Sequence, residues 1–312
     1  MRIEYHRTLI ADQVRVAAFQ EALARTIRPG ESVVVDIGTG SGLLAFIAAK
    51  LGARRVYAYE MAEIGAVAER VKRLNRLRNV ELIPGRSTDM IDPPRGDIVV
   101  SETLGNMAFE ESLIETMIDA RARHVKKGGI LVPGRVRQFV APVISPRLHA
   151  ELTAWDRLGH GLDFGPARDM SLNNVYVRQI APAELLEGGR SAVCWDDVDL
   201  AAVKSSTRRG QARWTIASAV TVYGFAVWWA AELLPALTLA TDPRGPATHW
   251  EQLYFPMLAP VPLAPGESLG AEIRTTTSEA RGTDMSWSVT VQAASGKQRS
   301  RQSMSLEKGY IP

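Results

Sequence analysis

The run Val33-Val34-Val35-Asp36-Ile37-Gly38-Thr39-Gly40-Ser41-Gly42-Leu43-Leu44, continued by Ala45-Phe46-Ile47-Ala48-Ala49-Lys50, limits the possible folds more than any other stretch. A β-branched strand, a glycine turn and an apolar helix in immediate succession form the first unit of a doubly wound parallel sheet. The turn departs from the dinucleotide fingerprint. That fingerprint needs a third glycine three positions after the second, and Leu43 stands there. Glycines at alternate positions, 38, 40 and 42, let the backbone approach a bulky ligand without a pyrophosphate to cradle. A nicotinamide dehydrogenase is disfavoured on the same ground.

The flanking segments extend the unit. Apolar residues at Leu9, Ile10, Val14, Ala17, Ala18, Leu23 and Ile27 have near-helical spacing and end at Pro29-Gly30, so a helix is expected over 9–27. Asp12 and Arg15 would lie on one side of it, as a solvated salt pair in the plainest reading. Arg55 to Tyr59 reads as a strand ending in Glu60, where a carboxylate accepts hydrogen bonds from vicinal ribose hydroxyls. A helix over 62–77 and a strand over Val80–Ile83 lead to the turn Gly85-Arg86-Ser87-Thr88-Asp89. Asp92-Pro93-Pro94 precedes the fourth strand and reads as a turn. Asp97 to Val100 is a short buried strand that delivers the loop Ser101 to Glu111, with two carboxylates, Glu102 and Glu111, and Gly105 as its pivot. A helix over 111–125, closed by Lys126-Lys127-Gly128-Gly129 as a basic glycine cap, ends this domain at about residue 133.

From 134 to 312 the pattern changes. Alternation at Arg135–Val140, Trp214–Val222, Leu253–Phe255 and Trp287–Val291 predicts an antiparallel β domain. A helical insertion at 147–172 carries Leu148, Leu152, Trp155, Leu158, Leu162 and Phe164, which need a surface to bury them. Ile216 to Ala240 holds a single charge, Glu232, and has the length of a membrane span. Its strand formers, Gly224 and Pro235 favour two buried strands joined by a bend, so no membrane partner is expected. The net charge of +3 over 312 residues, with scattered basic residues, gives no footprint for nucleic acid. One cysteine, Cys194, excludes an internal disulfide and Cys-rich metal sites, and no metal is expected. With no apolar leader-like start, it fits a reducing, cytoplasmic setting.

The alternating glycines resemble motif I of S-adenosylmethionine-dependent methyltransferases. Taken together, the motifs resemble those of the protein arginine methyltransferases over nearly the whole chain. Ser101-Glu102, with Glu111 nine residues after the first acid, matches that family's double-glutamate loop. Thr248-His249-Trp250 matches its Thr-His-Trp loop. His6, Asp12 and Arg15 match its helical pattern, and Asp36 to Gly42 with Glu60 match its donor site. The resemblance implies a Rossmann-like methyltransferase domain at 1–133 followed by a β-barrel-like substrate domain at 134–312. It implies a dimerisation arm at 147–172 and a homodimer. It assigns His6, Arg15, Asp36, Gly38, Gly40, Glu60, Ser87 and Thr88 to S-adenosylmethionine, with Arg15 on the donor's carboxylate. Glu102, Glu111, His249 and Asp12 become the catalytic set, acting on arginine in a protein, in a peptide or as the free amino acid.

The chemistry suits these residue types. A guanidinium titrates above about 12 and arrives charged, a poor nucleophile. Two carboxylates grip it bidentately, aim one nitrogen at the methyl group, and hold positive charge on the nitrogens that do not attack. Several positions depart from the family pattern. The first residues fall near the end of the family's first helix, so the aromatic lid is expected to be missing or supplied differently. The loop's middle is Thr103-Leu104-Gly105-Asn106, the adenine-edge acid is Thr88, and the methionines tied to asymmetric dimethylation are Leu9 and Leu113. The competing readings are a methyltransferase for another small amine and a donor-binding protein without activity. The intact Glu102, Glu111 and His249 speak against the second.

Overall fold

In the computed structural model, which describes residues 3–158, 160–278 and 282–309, the first half of the chain forms an α/β layer. Its elements are α1 (Ile3–Ala11), α2 (Gln13–Thr26), β1 (Val33–Ile37), α3 (Leu43–Lys50), β2 (Arg55–Glu60), α4 (Ile64–Leu74), β3 (Val80–Pro84), β4 (Gly96–Ser101), α5 (Leu113–Arg123) and β5 (Val125–Val132). The strands pair in parallel in the order β3-β2-β1-β4-β5. All five residues of β1 are buried, as a β-branched run at the centre of a parallel sheet requires.

Two expectations fail locally. The helix over 9–27 is two helices, because Asp12 takes an extended conformation and caps α2, its Oδ1 accepting from the Arg15 N–H at 2.9 Å. Both residues are buried, so the solvated salt pair is not formed. Lys126 to Gly129 belong to β5 rather than to a helix cap, forming the irregularity between the Gly96–Val125 and Ile98–Ile130 register pairs with β4.

The second half contains β6 (Arg135–Val143), the arm helices α6 (Arg147–Leu152), α7 (Trp155–Leu158) and α8 (Gly165–Leu172), and the strands β7 (Tyr176–Arg178), β8 (Val193–Asp199), β9 (Arg208–Thr215), β10 (Val220–Leu234), β11 (Leu237–Ala240), β12 (Gln252–Leu263), β13 (Ser268–Ser278), β14 (Gly282–Gln292) and β15 (Gln298–Ser305). Antiparallel sheets in the orders β7-β12-β10-β6-β8 and β15-β14-β13-β9 face each other, with β11 paired to β10. β13 and β14 alternate inward and outward residues, as expected for strands with one solvated face.

The apolar run that has the length of a membrane span is largely β10 and β11, joined at Pro235-Ala236. β10 is apolar because it is covered on both faces. Phe225 and Val227 join the core between the sheets, Ala226 and Trp228 pack with Leu148, Leu152 and Leu172 of the arm, and Trp229 and Ala231 enter the core of the α/β layer. That last core is continuous across the junction near residue 133, taking in Val136, Leu200 and Trp250. No helix among the described residues is long and apolar enough to cross a membrane.

Candidate active site

In an open parallel sheet, ligands bind beyond the carboxyl ends of the strands where the strand order reverses. Here that point lies between β1 and β4. Ile37 and Ser101 are register partners, and the buried Ser101 hydroxyl donates to the Ile37 carbonyl at 3.0 Å. The residues that follow, Gly38 on one side and Glu102 on the other, therefore emerge side by side. They line a cavity of about 460 Å³, within the usual range for small-molecule sites.

On the β1 side, Gly38 and Gly40 have φ of +75° and +59°, a region L-residues enter at a cost. A Cβ at Gly38 would stand 2.8 Å from Thr103 Cγ2, so the turn and the acid loop are packed against each other. Asp36 holds the turn from beneath, accepting from Thr39 Oγ1 at 2.6 Å, and burial lifts its carboxyl to about 6. Glu60 accepts from the Gly40 N–H and the Ala62 N–H, each at 2.7 Å. His6, above Gly40, is buried and held below the usual imidazole range by that burial. Ser87 and Thr88 line the cavity from a short 3₁₀ turn after β3.

The β4 side carries the carboxylates, and both line the same cavity. Glu102 is the more enclosed. Burial lifts its carboxyl to about 7, Arg15 pulls it down, and the charge on Glu111 pushes it up again. Its Oε2 accepts from Arg15 Nε at 2.7 Å and from Nη2. The guanidinium expected on the donor's carboxylate is thus engaged by Glu102 in this structure. Glu111 sits at the accessible mouth, yet its protein surroundings lift its carboxyl above the usual range, with Glu60 adding to the effect.

Asp12 and His249 sit beside the cavity rather than among its lining residues. Asp12 Oδ2 accepts from the His249 backbone N–H and pairs with its Nδ1, both at 2.8 Å. Burial pushes the Asp12 carboxyl up, but the hydrogen bonds outweigh it and hold the group below its usual range. Burial lowers His249 more than Asp12 raises it, so the imidazole is held towards its neutral form. Its Nε2 is buried without a partner. Tyr5 stands edge-on to His249, ring centroids 6.2 Å apart, and itself lines the cavity. Burial raises its phenol, and Glu111 and then Glu102 raise it further.

Sequence reasoning missed what holds the acid loop. Trp250 Nε1 donates to the Leu104 carbonyl and Trp229 Nε1 to the Gly105 carbonyl, each at 2.9 Å. The Glu251 N–H donates to Asn106 Oδ1 at 3.1 Å, and Thr277 Oγ1 to the Phe109 carbonyl at 3.2 Å. Buried indoles need acceptors, and here the loop's own carbonyls supply them. Gly105 lies against Glu110, whose carboxylate a Cβ would strike. Trp250 was legible as part of Thr248-His249-Trp250, whereas Trp229 was marked in the sequence only as one tryptophan of an apolar run. Among the described residues no cluster of His, Cys, Asp or Glu is arranged for a metal.

Comparison with known proteins gives the following. Residues 135–295 match the family model described as the arginine methyltransferase oligomerization subdomain. Residues 18–136 match the one described as ribosomal protein L11 methyltransferase (PrmA). The chain is 28% identical over 305 residues to the probable protein arginine N-methyltransferase 6 of Arabidopsis thaliana, covering 80% of this chain and 68% of that one. It is 28% identical over 264 residues to protein arginine N-methyltransferase 6 of Xenopus tropicalis, covering 80% and 77%. Its fold is similar to the Trypanosoma brucei PRMT1 enzyme-prozyme heterotetrameric complex with AdoHcy, with TM-score 0.85, 22% identity and 98% of each chain covered. It is also similar to the open conformation of Arabidopsis thaliana protein arginine methyltransferase 10, with TM-score 0.82, 22% identity and 98% of each chain covered.

Proposed function

This chain belongs to the protein arginine methyltransferase family, and we propose that it methylates an arginine guanidino nitrogen held between Glu102 and Glu111, with S-adenosylmethionine as donor. The observation that carries this reading is that one cavity collects the glycine turn, Glu60 and both carboxylates. The residues fit the donor. The turn from Gly38 to Gly40 leaves room for close approach, Glu60 offers acceptors to ribose hydroxyls, Arg15 offers a guanidinium to a carboxylate, and Ser87 and Thr88 border the base. When bound, the donor supplies an electrophilic methyl group on a sulfonium.

The chain's own groups do the rest. Ionised Glu102 and Glu111 hold the guanidinium by charge-assisted hydrogen bonds and fix the nitrogen that attacks. Holding positive charge on the other nitrogens leaves the attacking one richer in electrons. Glu102 already binds a guanidinium, that of Arg15, so its geometry suits such a group. Arg15 would hold a donor carboxylate when one is bound, and Glu102 would then be free for substrate. His249, held neutral with Nδ1 committed to Asp12, keeps the loop in place and offers Nε2 as a proton acceptor at the site's edge. Tyr5 supplies the aromatic wall between His249 and the acids. Incubation with labelled S-adenosylmethionine and free arginine, an arginine peptide or a cell extract tests the reading. Label transferred to a guanidine supports it, and transfer to none of the three removes it.

The arm leaves Leu158, Leu162, Trp155 and Phe164 exposed, the last two stacked 6.1 Å apart. Its occupant in this reading is the donor-binding domain of a second copy, which makes the active form a homodimer. A monomeric sedimentation profile at micromolar concentration would overturn that assignment.

A further inference from the structure

One polar group bordering the cavity has no task in the mechanism above. Glu115, in the first turn of α5, lines the cavity together with Ser87 and Thr88, and its Oε2 is buried without a hydrogen-bond partner. A buried acceptor left unpaired costs free energy, so it calls for an explanation. Its position is fixed by neighbours further along the helix. Glu115, Asp119 and Arg123 recur every four residues and so share one face of α5. Arg123 pairs with Asp119 at 2.6 Å and donates to the carbonyls of Ser87 and Thr88 at 3.0 and 2.8 Å. That face is therefore clamped against the turn that borders the base in the donor reading. Thr88 brings no acid to this edge, and its hydroxyl is turned to Asp89 Oδ1 at 3.4 Å.

We propose that Glu115 reads the base of the donor, accepting a hydrogen bond from the exocyclic amine of adenine. This rests on the donor reading above. A carboxylate accepts and does not donate, so the ligand atom that satisfies it must carry an N–H or O–H, and of these the base offers the N–H of its amine. Adenine presents an amine at that edge. Hypoxanthine presents a carbonyl there, which would set oxygen against oxygen. Glu115 is thus a specificity residue for adenine, placed on α5 instead of on the turn after β3.

Titration calorimetry of the full chain with S-adenosylhomocysteine and its deaminated counterpart, S-inosylhomocysteine, decides the matter. The wild type is expected to prefer the adenosyl compound by about tenfold or more, the usual cost of a mispaired buried polar group. Glu115→Gln has an amide that both accepts and donates, so its preference should shrink to within about threefold. Glu115→Leu should lose roughly tenfold for the adenosyl compound while the ligand-free protein melts at a higher temperature, because an unpaired buried acceptor is gone. A wild-type ratio in Glu115→Gln overturns the proposal. So does a Glu115→Leu variant that melts lower and keeps its adenosyl affinity, the mark of a merely structural residue. A wild type that binds neither compound overturns the donor reading itself.

Discussion

The glycine turn and the acid loop line one cavity, but they are built in opposite ways. The turn is made from its own neighbourhood: Asp36 holds Thr39, Glu60 holds Gly40, and the strand and helix on either side are consecutive in the chain. The acid loop is made from elsewhere. Its carbonyls are pinned by Trp229, Trp250 and Thr277, and its first glutamate is engaged by Arg15. Even His249 reaches its partner Asp12 across 237 positions of sequence. In the proposed reading the donor half is held by hydrogen bonds within its own layer, whereas the acceptor half is held by side chains of the β domain.

The largest effect that sharpens this contrast is expected at Glu111. Glu111→Gln removes one arm of the clamp and should lower kcat/KM by about 10²-fold or more, the scale of losing a preorganised electrostatic contact. S-adenosylhomocysteine affinity measured by calorimetry should barely change. Loss of donor affinity together with rate would show that the two halves are not separable.

Gly38→Ala strikes the seam between the halves. Its φ of +75° costs an alanine about 1–2 kcal/mol, and the new methyl meets Thr103 Cγ2. Folding stability should fall by about that cost, read as a lower denaturant midpoint, because the strain is present with or without donor. Adding Thr103→Ser removes the colliding methyl and should restore part of it. The absence of any rescue in the double variant would place the whole cost in the backbone.

Trp250→Phe keeps most of the ring but orphans the Leu104 carbonyl, at a cost of about 1–3 kcal/mol. Turnover is expected to drop about tenfold, in line with that cost, while donor binding holds. An equal loss in both would break the comparison.

The smallest effect is a pH dependence. The proposed clamp needs ionised Glu102, whose carboxyl burial lifts to about 7, so the competent form is lost as pH falls through that value. The profile of kcat/KM against pH should decline on the acid side near 7. Because the charge on Glu111 pushes Glu102 up, the residual activity of Glu111→Gln should carry its acid limb at lower pH. An unmoved limb would assign the titration to another group.

Much of this architecture was written in the residues themselves. Val33 to Leu44 dictates the strand, turn and helix because glycine conformations and β-branched burial are local matters. The spacing of Glu102 and Glu111, and the order of His6, Asp12, Arg15, Glu60 and Thr248-His249-Trp250, were legible because each is a short pattern. Other features were not. The break at Asp12 was hidden in an unbroken helical periodicity, since a capping aspartate and a surface aspartate look alike in sequence. The indole of Trp229 was hidden inside a run whose apolarity had a plainer meaning, and nothing in the Thr248-His249-Trp250 pattern named the Leu104 carbonyl as the acceptor of Trp250. Tyr5 and Glu115 belonged to no motif, and only their place on the cavity wall marks them. Sequence alone determined which groups this protein carries and the doubly wound unit that presents half of them. Tertiary structure decided which groups meet, because hydrogen bonds between residues more than a hundred positions apart depend on how two domains pack, and no local pattern encodes that.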